Sequence, residues 1–178
     1  LEGLGDGPEV ARDVTFVQFP LPGLNQFVFT ALNSSVRVET FFMTPALRKA
    51  VDPSRIAYLP MQMRYVYEYL RRAPLDTALI QVARDREGRL RLGPNADFFD
   101  ASRESAKIVV AELNEGFVSA AGAPLVTEAS IDYVVETERP LSEISRIKID
   151  PVSERIGVLV AELIRDGDCL QTGIGAIP

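Results

Sequence analysis

The sequence contains no histidine and no tryptophan, and Cys169 is the single cysteine among its 178 residues. Without histidine, these residues cannot supply a Ser-His-Asp triad, a Cys-His dyad or a zinc site with histidine ligands. A single cysteine cannot form a disulfide within the chain, which favours the cytoplasm as the compartment. Any acid, base or nucleophile within the sequence must therefore be Asp, Glu, Lys, Tyr, Ser or Cys169.

Basic charge and long apolar runs are also scarce. The formal net charge is −6 and the pI is about 4.8. We therefore expect no nucleic-acid partner, because such a partner calls for a basic face. No window approaches the roughly 18 consecutive apolar residues of a membrane span, so we expect no membrane association. The acidic start of the chain does not resemble a signal peptide, and Leu1 in first place suggests that the native N-terminus is missing.

Strand-like and helix-like segments alternate along the chain. Runs rich in β-branched and aromatic residues predict strands at 14–19, 36–42, 55–59, 76–82, 90–92, 107–113 and 131–136. Helical spacing and capping residues predict helices from 45 after the N-cap Thr44, at 63–70, from 102, and at 153–164 with Ser153 as the cap. The turn at 86–89 predicts a hairpin. This alternation predicts an α/β protein with a mainly parallel sheet flanked by helices.

The end of the chain has the order helix, turn, apolar strand and glycine loop. The predicted strand, 169–172, is followed by Gly173-Ile174-Gly175-Ala176-Ile177-Pro178. Glycines directly after a strand let backbone N–H groups approach a ligand closely, because no Cβ stands in the way. By spacing alone, a strand end tightened by two glycines without any ligand is an equal alternative. The next element of such a unit would be a helix, so we expect the chemistry to continue elsewhere.

Three other segments are weaker candidates for a site. Tyr65, Tyr67 and Tyr69 stand among arginines and could bind an adenine or a phosphate, although an ordinary solvated helix face is the preferred interpretation. The segments 93–99 and 114–115 follow strands and could line a cleft, with structural turns as the alternative. Cys169 has no neighbouring base in the sequence, so we interpret it as an inert core thiol.

Four segments in a fixed order carry a family resemblance. They are Phe41-Phe42-Met43-Thr44-Pro45, Tyr58-Leu59-Pro60-Met61, the run from Leu75 to Val82, and the run from Gly167-Asp168 to Pro178. Together they resemble the acetyl-CoA hydrolase/transferase family, which includes acetate, succinate and 4-hydroxybutyrate CoA-transferases. The resemblance implies a CoA-transferase-like fold. It implies that residues 1–146 are the N-terminal domain without its first strand, and that 147–178 begin a truncated C-terminal domain.

The resemblance also implies a chemistry. In this family a glutamate of the C-terminal domain attacks acyl-CoA and carries coenzyme A as a glutamyl thioester. The resemblance therefore implies that this glutamate lies beyond residue 178, and we expect no catalytic residue within the chain. The glycine loop would contact coenzyme A and the oxyanion through Gly173, Ile174, Gly175, Ala176 and Ile177. Coenzyme A would serve as substrate and covalent intermediate, without a metal.

The expected partners are an acyl-CoA and a small carboxylic acid, and we expect a homo-oligomer of the full-length protein. Gln62 stands where family members often carry a histidine, so the acyl substrate stays open. Transferase and hydrolase also stay open, because water could replace the acceptor acid. The rival hypothesis is a non-catalytic α/β ligand-binding or assembly domain that kept only the fold.

Overall fold

The computed structural model describes residues 11–21, 24–25, 27–50, 52–143 and 149–173. The chain divides into two compact units, Leu1–Glu143 and Ile144–Pro178, and each is described by itself. In the described ranges, no helix combines the length and the apolar character that crossing a membrane requires.

The described part of the first unit holds two sheets. The three-stranded sheet is parallel throughout, in the order β1 (Thr15–Gln18), β2 (Arg37–Thr40) and β3 (Ile56–Tyr58). The four-stranded sheet has the order β5-β4-β6-β7 and consists of β4 (Thr77–Arg84), β5 (Leu90–Leu92), β6 (Ile108–Asn114) and β7 (Tyr133–Thr137). Strands β4, β6 and β7 are parallel, and β5 pairs antiparallel with β4.

Helices flank these strands. They are α1 (Pro45–Lys49), α2 (Met63–Arg72) and α3 (Phe99–Ser105) in the first unit, and α4 (Pro151–Ala161) in the second. The predicted α/β class with mainly parallel strands and flanking helices is confirmed. The core of the four-stranded sheet gathers around Val82, Ala111 and Leu113, whereas α2 buries Val66 and Leu70 beside Phe41.

Two local predictions are confirmed by hydrogen bonds. The Thr44 hydroxyl oxygen accepts from the backbone N–H of Leu47 at 3.2 Å, and Pro45 occupies the first helical position of α1. The hairpin between β4 and β5 forms with Gly88 at a φ of +79°, a left-handed conformation that favours glycine. Both features depend on neighbouring residues, which explains why the sequence could reveal them.

Two helix starts were predicted at the wrong residue. Helix α3 begins at Phe99 and ends at Ser105, so the predicted start at 102 is too late. The start was missed because Phe98 precedes it in the left-handed conformation without a side-chain cap. Helix α4 is capped by Asp150 rather than Ser153, since the Asp150 carboxylate accepts from the N–H groups of Val152 and Ser153 at 2.8 and 3.0 Å.

The strand prediction for 169–172 is wrong within the described structure. These residues form no strand, and the described part of the second unit holds no other strand to pair with them. A β-strand needs a neighbour with which to exchange backbone hydrogen bonds. Cys169 is exposed, so its interpretation as a core thiol is also wrong. The strand predicted at 55–59 was expected to be buried, but within β3 only Ile56 is buried, and the next two residues are exposed.

Candidate functional site

The parallel strands β4, β6 and β7 all end at the same border of the four-stranded sheet, which we call its carboxyl edge. In open α/β sheets, ligands bind beyond this edge. A cleft of about 310 Å³ opens there between the β4–β5 turn and the segment that follows β6. The residues that line it are Arg86, Glu87, Val118, Ser119, Ala120 and Ala121. We refer to this feature as the edge cleft.

A buried carboxylate shapes the turn on one side of the edge cleft. The Asp85 side chain is fully buried, and its carboxylate accepts from the backbone N–H groups of Glu87 and Arg89 at 3.0 and 2.9 Å. It also accepts from the guanidinium groups of Arg89 at 2.9 Å and Arg91 at 2.5 Å. These four donors leave the turn little freedom, because a buried carboxylate without partners would be strongly unfavourable.

The charge state of Asp85 follows from the same contacts. Burial raises the pKa of the carboxyl group, but the hydrogen bonds from Arg91 and from the backbone and side chain of Arg89 outweigh that effect. The net result holds the pKa of Asp85 well below its ordinary value. Asp85 is therefore ionised at neutral pH and serves as an acceptor in the structure, which makes it unsuitable as a general acid.

The opposite wall of the edge cleft is tied to the same hairpin. The buried Arg91 guanidinium donates to the carbonyl oxygen of Ala123, while backbone hydrogen bonds join β5 to Pro124 and Val126. The Ser119 hydroxyl donates to the carbonyl oxygen of Leu92 at 3.0 Å, and its N–H donates to that of Arg84 at 2.9 Å. Both walls are thus fixed before any ligand arrives.

The lining of the edge cleft combines a cation with apolar surface. Arg86 is exposed, and its guanidinium makes no ion pair or hydrogen bond with any other residue that the structure describes. Glu87 is paired with Arg89 at 2.9 Å, so its charge is compensated. Val118 is 63% exposed and lies beside Ala120 and Ala121. This arrangement suits a small anion that carries a short apolar group.

Asn114, a candidate from the sequence, has a structural role. Its side chain is buried, and its carbonyl oxygen accepts from the N–H groups of Gly116 at 2.8 Å and Arg139 at 3.1 Å. Its amide donates to the carbonyl oxygen of Arg139 at 3.0 Å. The side chain thus joins the ends of β6 and β7. A Cβ on Gly116 would lie 2.4 Å from the Arg139 carbonyl oxygen, so glycine is required there.

A second carboxylate at this edge is also occupied by protein donors. Glu112 accepts from the Thr137 hydroxyl at 2.7 Å, from Gln81 at 3.3 Å and from the guanidinium of Arg139. Burial raises the pKa of Glu112, but the hydrogen bonds from Arg139 and Thr137 dominate and lower it. The carboxylate is therefore ionised and oriented by its neighbours, and it lacks the features of a free nucleophile.

The tyrosines of α2 border a separate, shallower groove of about 530 Å³. Tyr65 and Tyr69 both line it, as their spacing predicts. The Tyr69 hydroxyl donates to Glu39 at 2.8 Å, and the Arg64 guanidinium lies 5.0 Å from the centre of the Tyr65 ring. The hydrogen bond to Glu39 is the main reason that the pKa of Tyr69 is raised. These polar groups therefore have partners within the protein.

The remaining predicted site residues fall at the end of the chain or in a turn. Gly173 is the last residue described, and a Cβ there would meet no heavy atom within 4 Å. Ile174, Gly175, Ala176 and Ile177 lie outside the described residues. In the segment 93–99, the Asn95 side chain accepts from the N–H of Asp97 at 2.9 Å, which closes a turn. In the described ranges, no three metal-ligating side chains are grouped to hold an ion.

Sequence reasoning missed the edge cleft and the buried pair of Asp85 and Arg91. One signal was present, because Arg91 stands between two leucines in a short strand that pairs across a hairpin. An arginine flanked by core residues requires a hydrogen-bond acceptor. Asp85 directly precedes the turn that leads into the strand of Arg91, so it was the available acidic partner outside the turn. The cleft itself had no local signal, since its walls come from segments more than 30 residues apart.

The sequence matches a family model described as the acetyl-CoA hydrolase/transferase N-terminal domain over residues 12–144. It is 35% identical over 159 residues to the 4-hydroxybutyrate coenzyme A transferase of Clostridium kluyveri, covering 88% of this chain and 37% of that protein. It is 31% identical over 156 residues to the succinyl-CoA:acetate/propanoyl-CoA:succinate CoA transferase of Fasciola hepatica, covering 85% and 33%. The chain thus spans about a third of the length of these curated relatives.

Solved structures share the fold. RipA from Yersinia pestis superposes with a TM-score of 0.83 at 24% identity, covering 100% of this chain and 44% of that one. The 4-hydroxybutyrate CoA-transferase from Porphyromonas gingivalis superposes with a TM-score of 0.64 at 24% identity, covering 98% of this chain and 48% of that one. At these identities the likeness concerns the fold alone, and it confirms the predicted CoA-transferase-like architecture.

Proposed function

Because this chain belongs to the acetyl-CoA hydrolase/transferase family, we propose that its full-length protein is an enzyme that moves coenzyme A between carboxylic acids. The observation that carries the proposal is the identity of 27–35% to five proteins named as CoA transferases. In this proposal, residues 1–146 are the N-terminal domain and residues 147–178 begin the second domain. The substrates are an acyl-CoA and a small carboxylic acid.

The proposed reaction uses a glutamate beyond residue 178 as the nucleophile. Its carboxylate attacks the thioester carbonyl of acyl-CoA and displaces the CoA thiolate, which gives a mixed anhydride between the glutamate and the first acid. The thiolate then attacks the glutamyl carbonyl, the first acid leaves as a carboxylate, and coenzyme A stays on the enzyme as a glutamyl thioester. The carboxylate of the acceptor acid attacks the glutamyl thioester and displaces the CoA thiolate, which then attacks the acceptor's carbonyl in the new anhydride and releases the glutamate carboxylate. If water takes the place of the acceptor acid, the same intermediate yields free coenzyme A, and the enzyme acts as a hydrolase.

The glycine loop has a defined part in this proposal. The backbone N–H groups of Gly173, Ile174, Gly175, Ala176 and Ile177 approach coenzyme A and the oxyanion of the tetrahedral intermediate. Loss of one such donor typically costs about 3–4 kcal/mol of transition-state stabilisation. The support comes from the residue types, since glycine admits a ligand close to the backbone.

The reaction is tested with the full-length protein, a panel of short acyl-CoA donors and isotopically labelled acetate, succinate and 4-hydroxybutyrate. We expect label to appear in the acyl-CoA fraction, and we expect borohydride to inactivate enzyme pre-incubated with acyl-CoA by reducing the glutamyl thioester. Release of free thiol without an acceptor measures the hydrolase reaction separately. Absence of transfer from every donor, in a folded protein, would overturn the proposal.

The loop is tested with Gly175→Val in the full-length protein. We expect a loss of at least tenfold, about 1.4 kcal/mol, in turnover or coenzyme A affinity, because a side chain would enter the space of the ligand. The melting temperature is measured on the same sample, and it should change little if the substitution removes only a contact with the ligand. A stable variant with normal affinity and turnover would remove the loop from the mechanism.

A further inference from the structure

We propose that an ordered internal water molecule binds at the carboxyl ends of β1 and β2, held by the side chains of Gln18 and Thr40. The side-chain nitrogen of Gln18, Nε2, is buried and donates to no acceptor among the described residues. In the described ranges it is the one buried side-chain nitrogen or oxygen without a partner. A buried amide without a hydrogen bond is costly, so native proteins give such groups a protein or water partner.

The register of the three-stranded sheet places Gln18 beside Thr40. The two residues are Cα partners in the parallel strands β1 and β2, and Thr40 is in turn the partner of Tyr58 in β3. Successive side chains of a strand point to opposite faces, so these three lie on the face that carries Phe16 and Val38 two residues earlier. Neighbouring strands are about 4.8 Å apart, a spacing that one water can bridge with hydrogen bonds of about 2.8 Å.

Thr40 offers the acceptor that such a water needs. Its side chain is fully buried, and its hydroxyl donates to the carbonyl oxygen of Phe42 at 2.8 Å. That bond uses the hydroxyl proton and leaves the oxygen able to accept. A water that accepts from Gln18 Nε2 and donates to Thr40 Oγ1 therefore satisfies both groups, and two to four polar partners are typical of internal water.

The surroundings of the site favour a single water. The preceding positions on this face are apolar and packed, because Val38 and Ile56 form a buried cluster with Leu47 of α1. The polar row of Gln18, Thr40 and Tyr58 therefore stands at the border of an apolar core. Tyr58 is 48% exposed, so the row leads from the buried donor to solvent and gives the water a route of exchange.

The bound water fixes the point where β1 ends. The backbone carbonyl oxygen of Gln18 accepts from the N–H of Phe41 at 3.2 Å, and the bridge to Thr40 adds a second tie to β2 at the same position. The next residue, Phe19, places its ring 5.4 Å from that of Phe98 and 6.2 Å from that of Phe42. Gln18 is thus a positioning residue for the turn from which Phe19 reaches these rings.

A high-resolution crystal structure of the full-length protein tests the site directly. We expect an ordered water within about 3.2 Å of both Gln18 Nε2 and Thr40 Oγ1. Gln18→Met keeps the length of the side chain without the donor, and the water should be absent or displaced in its crystal structure. A protein acceptor at Gln18 Nε2, a position without density or a larger ligand in the wild type would overturn the inference.

A double-mutant cycle in thermal unfolding tests whether the water links the two side chains. The variants are Gln18→Met, Thr40→Val and the pair together. Either single change releases the water, so the fall in melting temperature of the double variant should be smaller than the sum of the single falls by about 1 °C or more.

Thr40→Ser is the matched control, because it keeps the hydroxyl and loses only the methyl group. Its effect should add to that of Gln18→Met. Additive effects with Thr40→Val, or equal coupling with Thr40→Ser, would overturn the bridge. The crystal structure of the wild type decides the question even where a variant does not fold.

Discussion

Asp85 and Arg91 form a buried ion pair at the base of the loops that frame the edge cleft. Their side chains are 0% and 8% exposed, and the carboxylate receives four hydrogen-bond donors. A buried pair of this kind contributes less through its own attraction than through the penalty for leaving one charge alone. Its consequence is a hairpin whose turn and neighbouring strand are fixed relative to each other.

Asp85→Asn should therefore destabilise the protein strongly, because it leaves the Arg91 guanidinium buried without a counter-charge. We expect the melting temperature to fall by about 6–20 °C. The matched control is Asp76→Asn, which removes the same charge from an exposed pair with Lys107. That change should shift the melting temperature by less than about 3 °C. Equal shifts in thermal unfolding of the two variants would contradict this view of Asp85.

The same pair predicts a dependence on pH. The folded-state pKa of Asp85 lies below that of the unfolded chain, where an aspartate titrates at about 3.9. Its contribution to stability is therefore complete above about pH 5 and declines as the pH falls through the acid range. We expect the difference in melting temperature between wild type and Asp85→Asn to be constant from about pH 5.5 to 8 and to shrink below about pH 4. If the difference in melting temperature instead grew as the pH fell, the pKa of Asp85 would not be lowered by folding.

Gly116 offers a test of the close approach between the ends of β6 and β7. Gly116→Ala places a Cβ where the Arg139 carbonyl oxygen lies 2.4 Å away, so the backbone must move. We expect a loss of about 1–3 kcal/mol in the free energy of unfolding. Gly122→Ala is the control, since a Cβ there meets no heavy atom within 4 Å. Chemical denaturation of both variants measures the difference, and similar values would show that the turn adapts.

At the scale of single elements, the short helix α1 depends on its cap and on its packing for stability. It has five residues, fewer than an isolated helix needs to persist in water. It is held by its N-cap, by Pro45 at the first position and by Leu47, which is buried against the three-stranded sheet. Propensity marks where this helix begins, and packing makes it stable.

Thr44→Ala should weaken α1, because it removes the acceptor for the Leu47 N–H and leaves that group without a partner. We expect a loss of about 1 kcal/mol in the free energy of unfolding. Thr44→Ser keeps the hydroxyl and should retain most of the stability. Urea denaturation of the three proteins tests this, and an equal loss in Ser and Ala variants would assign the role of Thr44 to its methyl group instead.

For the whole molecule, the side chains of Asp85, Glu87 and Glu112 at this end of the sheet are bound to the protein's own arginines, and the sequence has no histidine. We therefore expect the isolated chain of residues 1–178 to transfer no coenzyme A from acetyl-CoA to labelled acetate or succinate. The full-length protein serves as the positive control. Turnover clearly above background in the isolated chain would reveal a nucleophile within these residues.

Local features of this protein were predictable from the sequence. The strand–helix alternation, the Thr44 cap and the β4–β5 hairpin all depend on residues a few positions apart, so their signals lie next to each other in the chain. The family resemblance added the fold as a whole. The start of α3 escaped prediction, because the left-handed Phe98 before it carries no capping signal.

The sequence by itself determined the α/β class, the order of the elements and the absence of histidine chemistry, since composition and periodicity are properties of the chain. Only the tertiary structure decided that Asp85 receives Arg91, that Asn114 joins β6 to the end of β7, and that Arg86 faces a cleft with Val118. The physical reason is that burial and pairing depend on segments brought together by sheet order. The same Asp or Arg is a solvated charge, a buried partner or a ligand-binding group according to what the fold places beside it.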